Sequence, residues 1–235
     1  MRSNRIKKIL ILVAILALPG FLYYLLQEKG KNRYKPLTIY GPKQVANTFH
    51  TVRGKSIPDT IYHVVPEFKL LNQDSDTVGW ENHKGKIVLV NLFHSSNRGF
   101  GVDFANKAMG GFVEMYARNT LIHFMSLSID PTGDSPTVLK KYATQISANT
   151  AKWNLLTGDS TQIFKLVNKG LFLDALQTNL NGEVKFTYSN LFVLIDSHRR
   201  IRGYYEATNN EALSKLDDEI KVLIAEELRN TKDGR

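Results

Sequence analysis

Two long apolar runs stand out in the central part of the chain. They are KIVLVNLFH at residues 86–94 and LIHFMSLSI at residues 121–129. Apolar runs of this length are typical of strands that are buried on both faces of a sheet. Apolar residues at helical spacing follow each run. After the first run they are Phe104, Ala105, Ala108, Phe112, Met115 and Tyr116; after the second they are Val138, Leu139, Tyr142, Ala143 and Ile146.

Polar residues punctuate this pattern at positions that predict where helices begin and end. Ser135 before Pro136 predicts one helix start, and Asp159 with Gln162 predicts a capping box at another. Gly170 predicts the end of the second of these helices.

Shorter alternating segments predict two hairpins and a final helix. Residues 67–71 and 77–78 flank a polar turn, and residues 191–195 and 201–205 flank another. A last helix is expected from near Asn210, with a buried stripe formed by Leu213, Leu216, Ile220, Leu223, Ile224 and Leu228. We therefore predict an α/β domain over residues 61–229, with a mixed sheet between helices, followed by a tail over residues 230–235.

The N-terminal part of the chain has a different character. After a basic segment, residues 1–8, residues 9–26 carry no charge and would span about 27 Å as a helix, which predicts a transmembrane anchor. A cleaved signal peptide is the alternative. An uncleaved anchor with a basic N-terminus places the domain on the non-cytoplasmic side of the membrane, which is the inner membrane if the host is bacterial. Residues 27–60 are predicted to be a polar tether, parts of which dock through Tyr40, Phe49 and Val52.

Composition excludes several functions. The net charge of +9 is concentrated in residues 1–35, which hold eight basic residues and one acid, so the rest carries 23 basic and 21 acidic residues. This distribution excludes a nucleic-acid-binding domain. The chain has no cysteine, which excludes disulfides, thiol catalysis and thiolate metal sites.

Four strings, taken in order, resemble the SCO/SenC family of membrane-anchored, thioredoxin-like proteins that assist cytochrome c oxidase assembly by handling copper. They are GKIVLVNLFHSS, SLSIDPTGDSPTVLKKYA, WNLLTGDSTQIFKL and NLFVLIDSHRRIRGYYEATN, and the resemblance extends over residues 36–229. It implies a thioredoxin-like fold, copper as cofactor, and oxidase subunits, assembly factors or a ligand-bearing paralogue as partners.

The resemblance also implies three metal ligands, two cysteines in a CxxxC motif and one histidine. In this chain the corresponding positions are Asn97, Gly101 and Tyr188. We therefore expect no catalytic residue, no metal and no cofactor at this site. Asn97 is expected to cap the following helix, although the turn containing Asn97 and Arg98 could also bind an anion.

Histidines near the lost site leave one alternative open. His94, Asp130 and Tyr188 could form a replacement site suited to zinc or Cu(II), whereas His94 could also simply end its strand and hydrogen-bond locally. The other histidines give no such signal. His123 is expected to be a satisfied core residue, His198 lies beside two arginines, and His50, His63 and His83 have no partner at ligand spacing.

These observations support two hypotheses for function. The first is a non-enzymatic interaction or assembly module that has lost the metal site. The second is a copper chaperone that uses the replacement ligands.

Overall fold

The computed structural model describes residues 2–29, 36–52, 54–96, 100–180 and 183–232. The chain divides into two compact units, residues 1–35 and residues 36–235. The first unit contains one helix, α1 (Arg2–Lys29), which continues through the apolar run into the charged residues on both sides of it. Within the described ranges, no helix combines the length and apolarity that crossing a membrane requires. The transmembrane anchor predicted over residues 9–26 is therefore not supported.

The second unit is built around a five-stranded mixed sheet. In chain order its elements are β1 (Lys43–Val52), β2 (Lys55–Tyr62), β3 (Leu70–Leu71), β4 (Thr77–Val78), a 3-10 turn (Trp80–His83), β5 (Ile87–Phe93), α2 (Phe100–Met115), β6 (Ile122–Ser128), α3 (Pro136–Gln145), β7 (Trp153–Leu156), α4 (Ser160–Lys165), a π-helical turn (Leu166–Gly170), β8 (Ala175–Leu180), β9 (Glu183–Tyr188), β10 (Leu191–Ile195), β11 (Ile201–Glu206) and α5 (Asn210–Lys232). The strand order is β11-β10-β5-β6-β7.

Strands β5, β6 and β7 run parallel to one another. Strand β10 pairs antiparallel with β5, and β11 pairs antiparallel with β10. All residues of β5 are buried, as the sequence predicted for a strand covered on both faces. Its alternate residues face two separate clusters. Ile87, Leu89 and Phe93 pack with α2, α3 and α5, whereas Val88 and Val90 pack with α4 and the β3–β4 hairpin. The mixed sheet between helices confirms the predicted α/β architecture.

At two of the predicted helix starts, a side chain caps the first turn of the helix. Ser135 Oγ accepts a hydrogen bond from Val138 N (3.4 Å), and Asp159 Oδ1 accepts one from Gln162 N (2.7 Å). The predicted capping box is only half formed. The Gln162 side chain instead accepts a hydrogen bond from the backbone N–H of Lys69 (2.7 Å) and so ties α4 to the segment before β3.

Two hairpins were not predicted. Strands β1 and β2 pair within residues 43–62, where the sequence predicted a tether, and β8 pairs with β9. Strands β1 and β2 have no buried face, so the sequence there lacks the alternation that marks a strand. Tyr40 docks as predicted, because its backbone N–H donates a hydrogen bond to Ile201 O (2.9 Å) and its ring centroid lies 5.5 Å from that of Tyr204. Phe49 does not dock, since its side chain is 64% exposed. The side chain of Val52 lies outside the described residues.

Three residues expected on buried helix stripes are exposed. Met115 is 62% exposed at the end of α2, Val138 is 37% exposed in the first turn of α3, and Leu228 is 50% exposed in the last two turns of α5. All three lie near the ends of their helices.

Candidate functional site

The carboxyl ends of the parallel strands bring the predicted site residues to one edge of the sheet. His94 directly follows β5, Asp130 lies two residues after β6, and Tyr188 ends β9. The β8–β9 hairpin, which the sequence did not reveal, carries Tyr188 to this edge. Phe186 of the same hairpin also lies against His94. Sequence reasoning missed Phe186 because it did not reveal the hairpin.

His94 packs between aromatic rings and polar groups. Its ring centroid lies 5.4 Å from that of Phe186 and 6.0 Å from that of Tyr188, and its Nδ1 lies 3.0 Å from Ser96 Oγ. Burial lowers the pKa of His94, and the carboxylates of Asp134 and Asp130 offset part of this effect. The imidazole is therefore neutral at pH 7 and keeps a lone pair for a proton or a metal.

Asp134, which the sequence analysis did not single out, organises the strand ends beneath His94. Its buried carboxylate accepts hydrogen bonds from the backbone N–H of Ser95 (3.1 Å) and from the hydroxyls of Ser95 and Ser128. These contacts join Ser95, two residues after β5, to Ser128, the last residue of β6. No local pattern signals this residue, since its partners lie 39 and six residues away along the chain.

Asp130 is committed to its own turn. Its Oδ1 accepts a hydrogen bond from Gly133 N (3.0 Å), and its backbone N–H donates to Ser128 Oγ (3.1 Å). A Cβ at position 133 would lie 2.3 Å from Asp130 Oδ2, so a side chain there would displace the Asp130 carboxylate. Asp130 thus acts on His94 only through its charge, which raises the pKa of the imidazole. The Tyr188 ring, by contrast, contacts the imidazole ring directly.

The other two positions at which the resemblance implies metal ligands, Asn97 and Gly101, are only partly described. Asn97 lies outside the described residues, so its predicted role as a helix cap is untested. Gly101 lies in the first turn of α2 and contributes no side-chain donor. Tyr188 has a phenol where the resemblance implies an imidazole.

A second group of metal-ligand types lies at the β10–β11 turn. Ligand atoms of Asp196, His198 and Glu227 lie within 4.8 Å of one another. Asp196 already accepts hydrogen bonds from the side chains of Arg200 (2.8 Å) and Arg202 (3.1 Å) and from two backbone N–H groups. Ser197 donates to both carboxylate oxygens of Glu227. These donors occupy the carboxylate oxygens, and the two guanidinium groups repel a cation, so the group is a structural ion-pair network.

The remaining histidines have partners that sequence spacing did not reveal. His50 Nδ1 lies 2.6 Å from Asp59 Oδ1 across the β1–β2 hairpin, and His63 Nε2 lies 2.8 Å from Gly170 O. His123, expected to be a satisfied core residue, faces His83.

Comparison with known proteins identifies the family. The SCO1/SenC family profile matches residues 58–223. A SCO1 protein homolog of Bacillus subtilis is 24% identical over 169 residues, covering 72% of this chain and 86% of that protein. A SCO1/SenC family lipoprotein of Bacillus anthracis superposes with a TM-score of 0.60 at 25% identity, covering 69% of this chain and 95% of that one.

A third comparison is with BsSco, described as a member of the Sco family of cytochrome c oxidase assembly proteins with a disulfide switch. It has a TM-score of 0.57 at 22% identity and covers 68% of this chain and 93% of its own. The fold is therefore the α/β, thioredoxin-like fold of Sco proteins. The chain belongs to the SCO1/SenC family, as its resemblance to that family implied.

Proposed function

We propose that this chain is a non-enzymatic member of the SCO1/SenC family that supports cytochrome c oxidase assembly through protein contacts, without copper chemistry of the family's kind. The observation that carries the proposal is the complete absence of cysteine from the sequence. A dithiol–disulfide cycle of the kind named for BsSco needs two thiols, so it cannot operate within this chain.

The donors at the three corresponding positions do not fit a cuprous ion. Asn97 offers an amide, Gly101 offers no side chain, and Tyr188 offers a phenol. Cu(I) prefers soft thiolate and thioether ligands, whereas amide and phenol oxygens are hard donors. No step of the proposed function is therefore routed through copper at this site.

The surroundings of His94 support a role in presenting a surface. The Ser95–Asp134–Ser128 hydrogen bonds hold the strand ends, and the rings of Phe186 and Tyr188 cover His94. A rigid edge of this kind suits recognition of a partner, because little conformational entropy is lost on binding.

The proposed partners follow from the family. They are oxidase subunits, oxidase assembly factors or a paralogue that retains the copper ligands. BsSco is described as a member of a family of oxidase assembly proteins, and the Bacillus anthracis relative is a lipoprotein. A position on the non-cytoplasmic side of a membrane is part of the same proposal.

Complementation in the host tests the proposal. Deletion of the gene should lower cytochrome c oxidase activity, and the wild-type chain should restore it. Immunoblotting confirms that the restored strain makes the protein. The proposal fails if deletion leaves oxidase activity unchanged, or if the chain isolated from the host carries stoichiometric copper.

The neutral imidazole of His94 favours one alternative, a copper chaperone with replacement ligands. Its ring contacts Tyr188, and the Asp130 charge raises its proton affinity. This alternative predicts that the purified chain binds Cu(II) with one-to-one stoichiometry and that His94→Ala abolishes the binding. Asp130→Asn should then weaken binding, and Ser96→Ala should leave it intact.

A further inference from the structure

Both outer strands of the five-stranded sheet receive backbone hydrogen bonds from neighbouring segments, whereas the hairpin of β1 and β2 stands by itself. On one side of the sheet, the backbone N–H of Tyr40 donates to Ile201 O of the outer strand β11 (2.9 Å). On the other side, Leu71 exchanges two backbone hydrogen bonds (2.8 and 2.9 Å) with Thr157, the residue after β7. Within the described residues, β1 pairs with β2 alone. The proposed function does not use this hairpin.

Pro58 shows which backbone groups of the hairpin point outward. A proline has no N–H to donate, so its nitrogen faces away from the paired strand. Phe49 lies opposite Pro58, and these two residues therefore form a pair that exchanges no hydrogen bonds. Such pairs alternate with bonded pairs, so the backbone groups of Thr51, which lies opposite Ser56, point outward as well. The outer edge of β1 thus presents the N–H and C=O groups of Phe49 and Thr51, to which no backbone group of the described residues outside the hairpin bonds.

The two outer edges of the hairpin differ in their capacity to pair with another strand. The edge of β2 lacks a donor at Pro58, and its sequence also carries a lysine and an aspartate; proline and charge are features that prevent strand addition in natural proteins. Strand β1 has no proline and, after its first residue, no carboxylate or ammonium group. Its register is irregular between Val45 and Phe49, so the regularly paired part is Phe49–Val52, next to the turn. This edge is therefore open to a short strand.

Apolar side chains are left exposed on both faces of the hairpin. Val45 and Phe49 are 75% and 64% exposed on one face, and Ile57 and Ile61 are 41% and 54% exposed on the other. A hairpin of two strands is only marginally stable in water, and a third strand adds cross-strand contacts with side chains of this kind. An added strand would therefore cover apolar surface and also satisfy the outward backbone groups of β1.

The charges of the hairpin indicate which kind of strand fits. Lys43 begins β1 at one end of the hairpin, and Lys55 begins β2 at the other end. Asp59 is the single acid of the two strands, and its carboxylate already contacts His50 Nδ1 (2.6 Å). A second copy of β1 in antiparallel orientation would bring Lys43 of each copy to the Lys55 end of the other, where like charges repel. A strand with acidic residues at both ends would instead pair with these lysines.

We propose that the outer edge of β1 binds an extended segment of a partner protein as an additional strand, and that this segment carries acidic residues at both ends. In recognition by strand addition, main-chain hydrogen bonds supply affinity and side chains supply specificity. Here the backbone groups of Phe49 and Thr51 supply the hydrogen bonds, and Lys43 and Lys55 select acidic ends. This interaction requires neither metal nor oxidase activity, so a binding assay tests it separately from the proposed function.

Binding of a synthetic peptide to the full-length chain tests the inference. The probe is a fluorescently labelled peptide of alternating threonine and valine with two glutamates at each end, and fluorescence anisotropy measures its affinity. We expect saturable binding of one peptide per chain, and at least tenfold weaker binding of a control peptide with lysines in place of the glutamates. Lys55→Glu should weaken binding of the acidic peptide and strengthen binding of the basic one.

A matched pair of proline substitutions locates the binding edge. Thr51→Pro removes an outward N–H from β1 and should weaken binding at least tenfold, whereas Ser56→Pro removes the opposite outward N–H from β2 and should leave binding unchanged. Circular dichroism checks that both variants are folded. The inference is overturned if the wild-type chain shows no saturable binding, if both proline variants bind equally well, or if the charge of the peptide has no effect. Sedimentation equilibrium adds one more test, because a dimer of the full-length chain that Thr51→Pro dissociates would assign the edge to a second copy and overturn the inference.

Discussion

Burial of His83 should make the protein sensitive to acid. The unfolded chain binds a proton at His83 near pH 6.5, whereas burial lowers the folded pKa to about 4. Between these two values the unfolded state binds more protons than the folded state, so stability rises with pH. The contribution of His83 is fully present above pH 6.5 and is lost as the pH falls toward 4.

The size of this effect follows from the two pKa values. The difference between 6.5 and about 4 corresponds to about 3 kcal/mol of unfolding free energy. His123 and His94 add to the loss, because burial lowers their pKa values as well. Against a typical domain stability of about 5–15 kcal/mol, this loss is large enough to measure.

Urea denaturation at pH 7, 5.5 and 4, with EDTA present to remove metal, measures the effect. His83→Phe keeps an aromatic ring in the site and should remove most of the dependence on pH. His123→Phe should remove less, because burial acts on the pKa of His83 more strongly than His123 does. The reasoning is refuted if wild-type protein and the His83→Phe variant lose the same stability between pH 7 and pH 4.

Three further substitutions test the packing and the ion pairs, each by thermal unfolding at pH 7. Arg202→Ala removes a buried ion pair with Asp196 and a second contact with the partly exposed Glu226, and it should cost about 3–5 kcal/mol. Arg199→Ala removes the more exposed pair with Glu67 and should cost less than about 1 kcal/mol, so equal losses would contradict this. Phe93→Ala removes a fully buried ring and should cost about 3–5 kcal/mol, against little change for Phe49→Ala on the exposed face of β1. Gly110→Ala should stabilise α2 by about 0.5–1 kcal/mol, because a Cβ there meets no atom within 4 Å, and a loss of stability would refute this.

The sequence predicted the parts of the fold that are covered on both faces. The buried runs became β5 and β6, and the caps at Ser135 and Asp159 are where the local pattern placed them. These elements were predictable because burial and capping act over a few neighbouring residues. The hairpins β1–β2 and β8–β9 were missed because their strands pair mainly with each other and leave many side chains exposed.

The candidate site was predictable only in part. His94 and Tyr188 could be matched to the family through motif spacing, and the structure brings their rings together. Asp134 and the His83–His123 pair carry no such signal. His83 and His123 are 40 residues apart and meet only because the 3-10 turn packs beside the start of β6.

The most direct test of the central claim is a Cu(I) competition titration of two forms of the chain. One is the wild type, and the other carries Asn97→Cys, Gly101→Cys and Tyr188→His together. The wild-type chain should lose copper to the competing chelator. The substituted chain should keep one copper ion per chain in the presence of the same chelator, because only this chain has two thiolates and an imidazole. Stoichiometric, chelator-resistant Cu(I) on the wild-type chain would contradict the account.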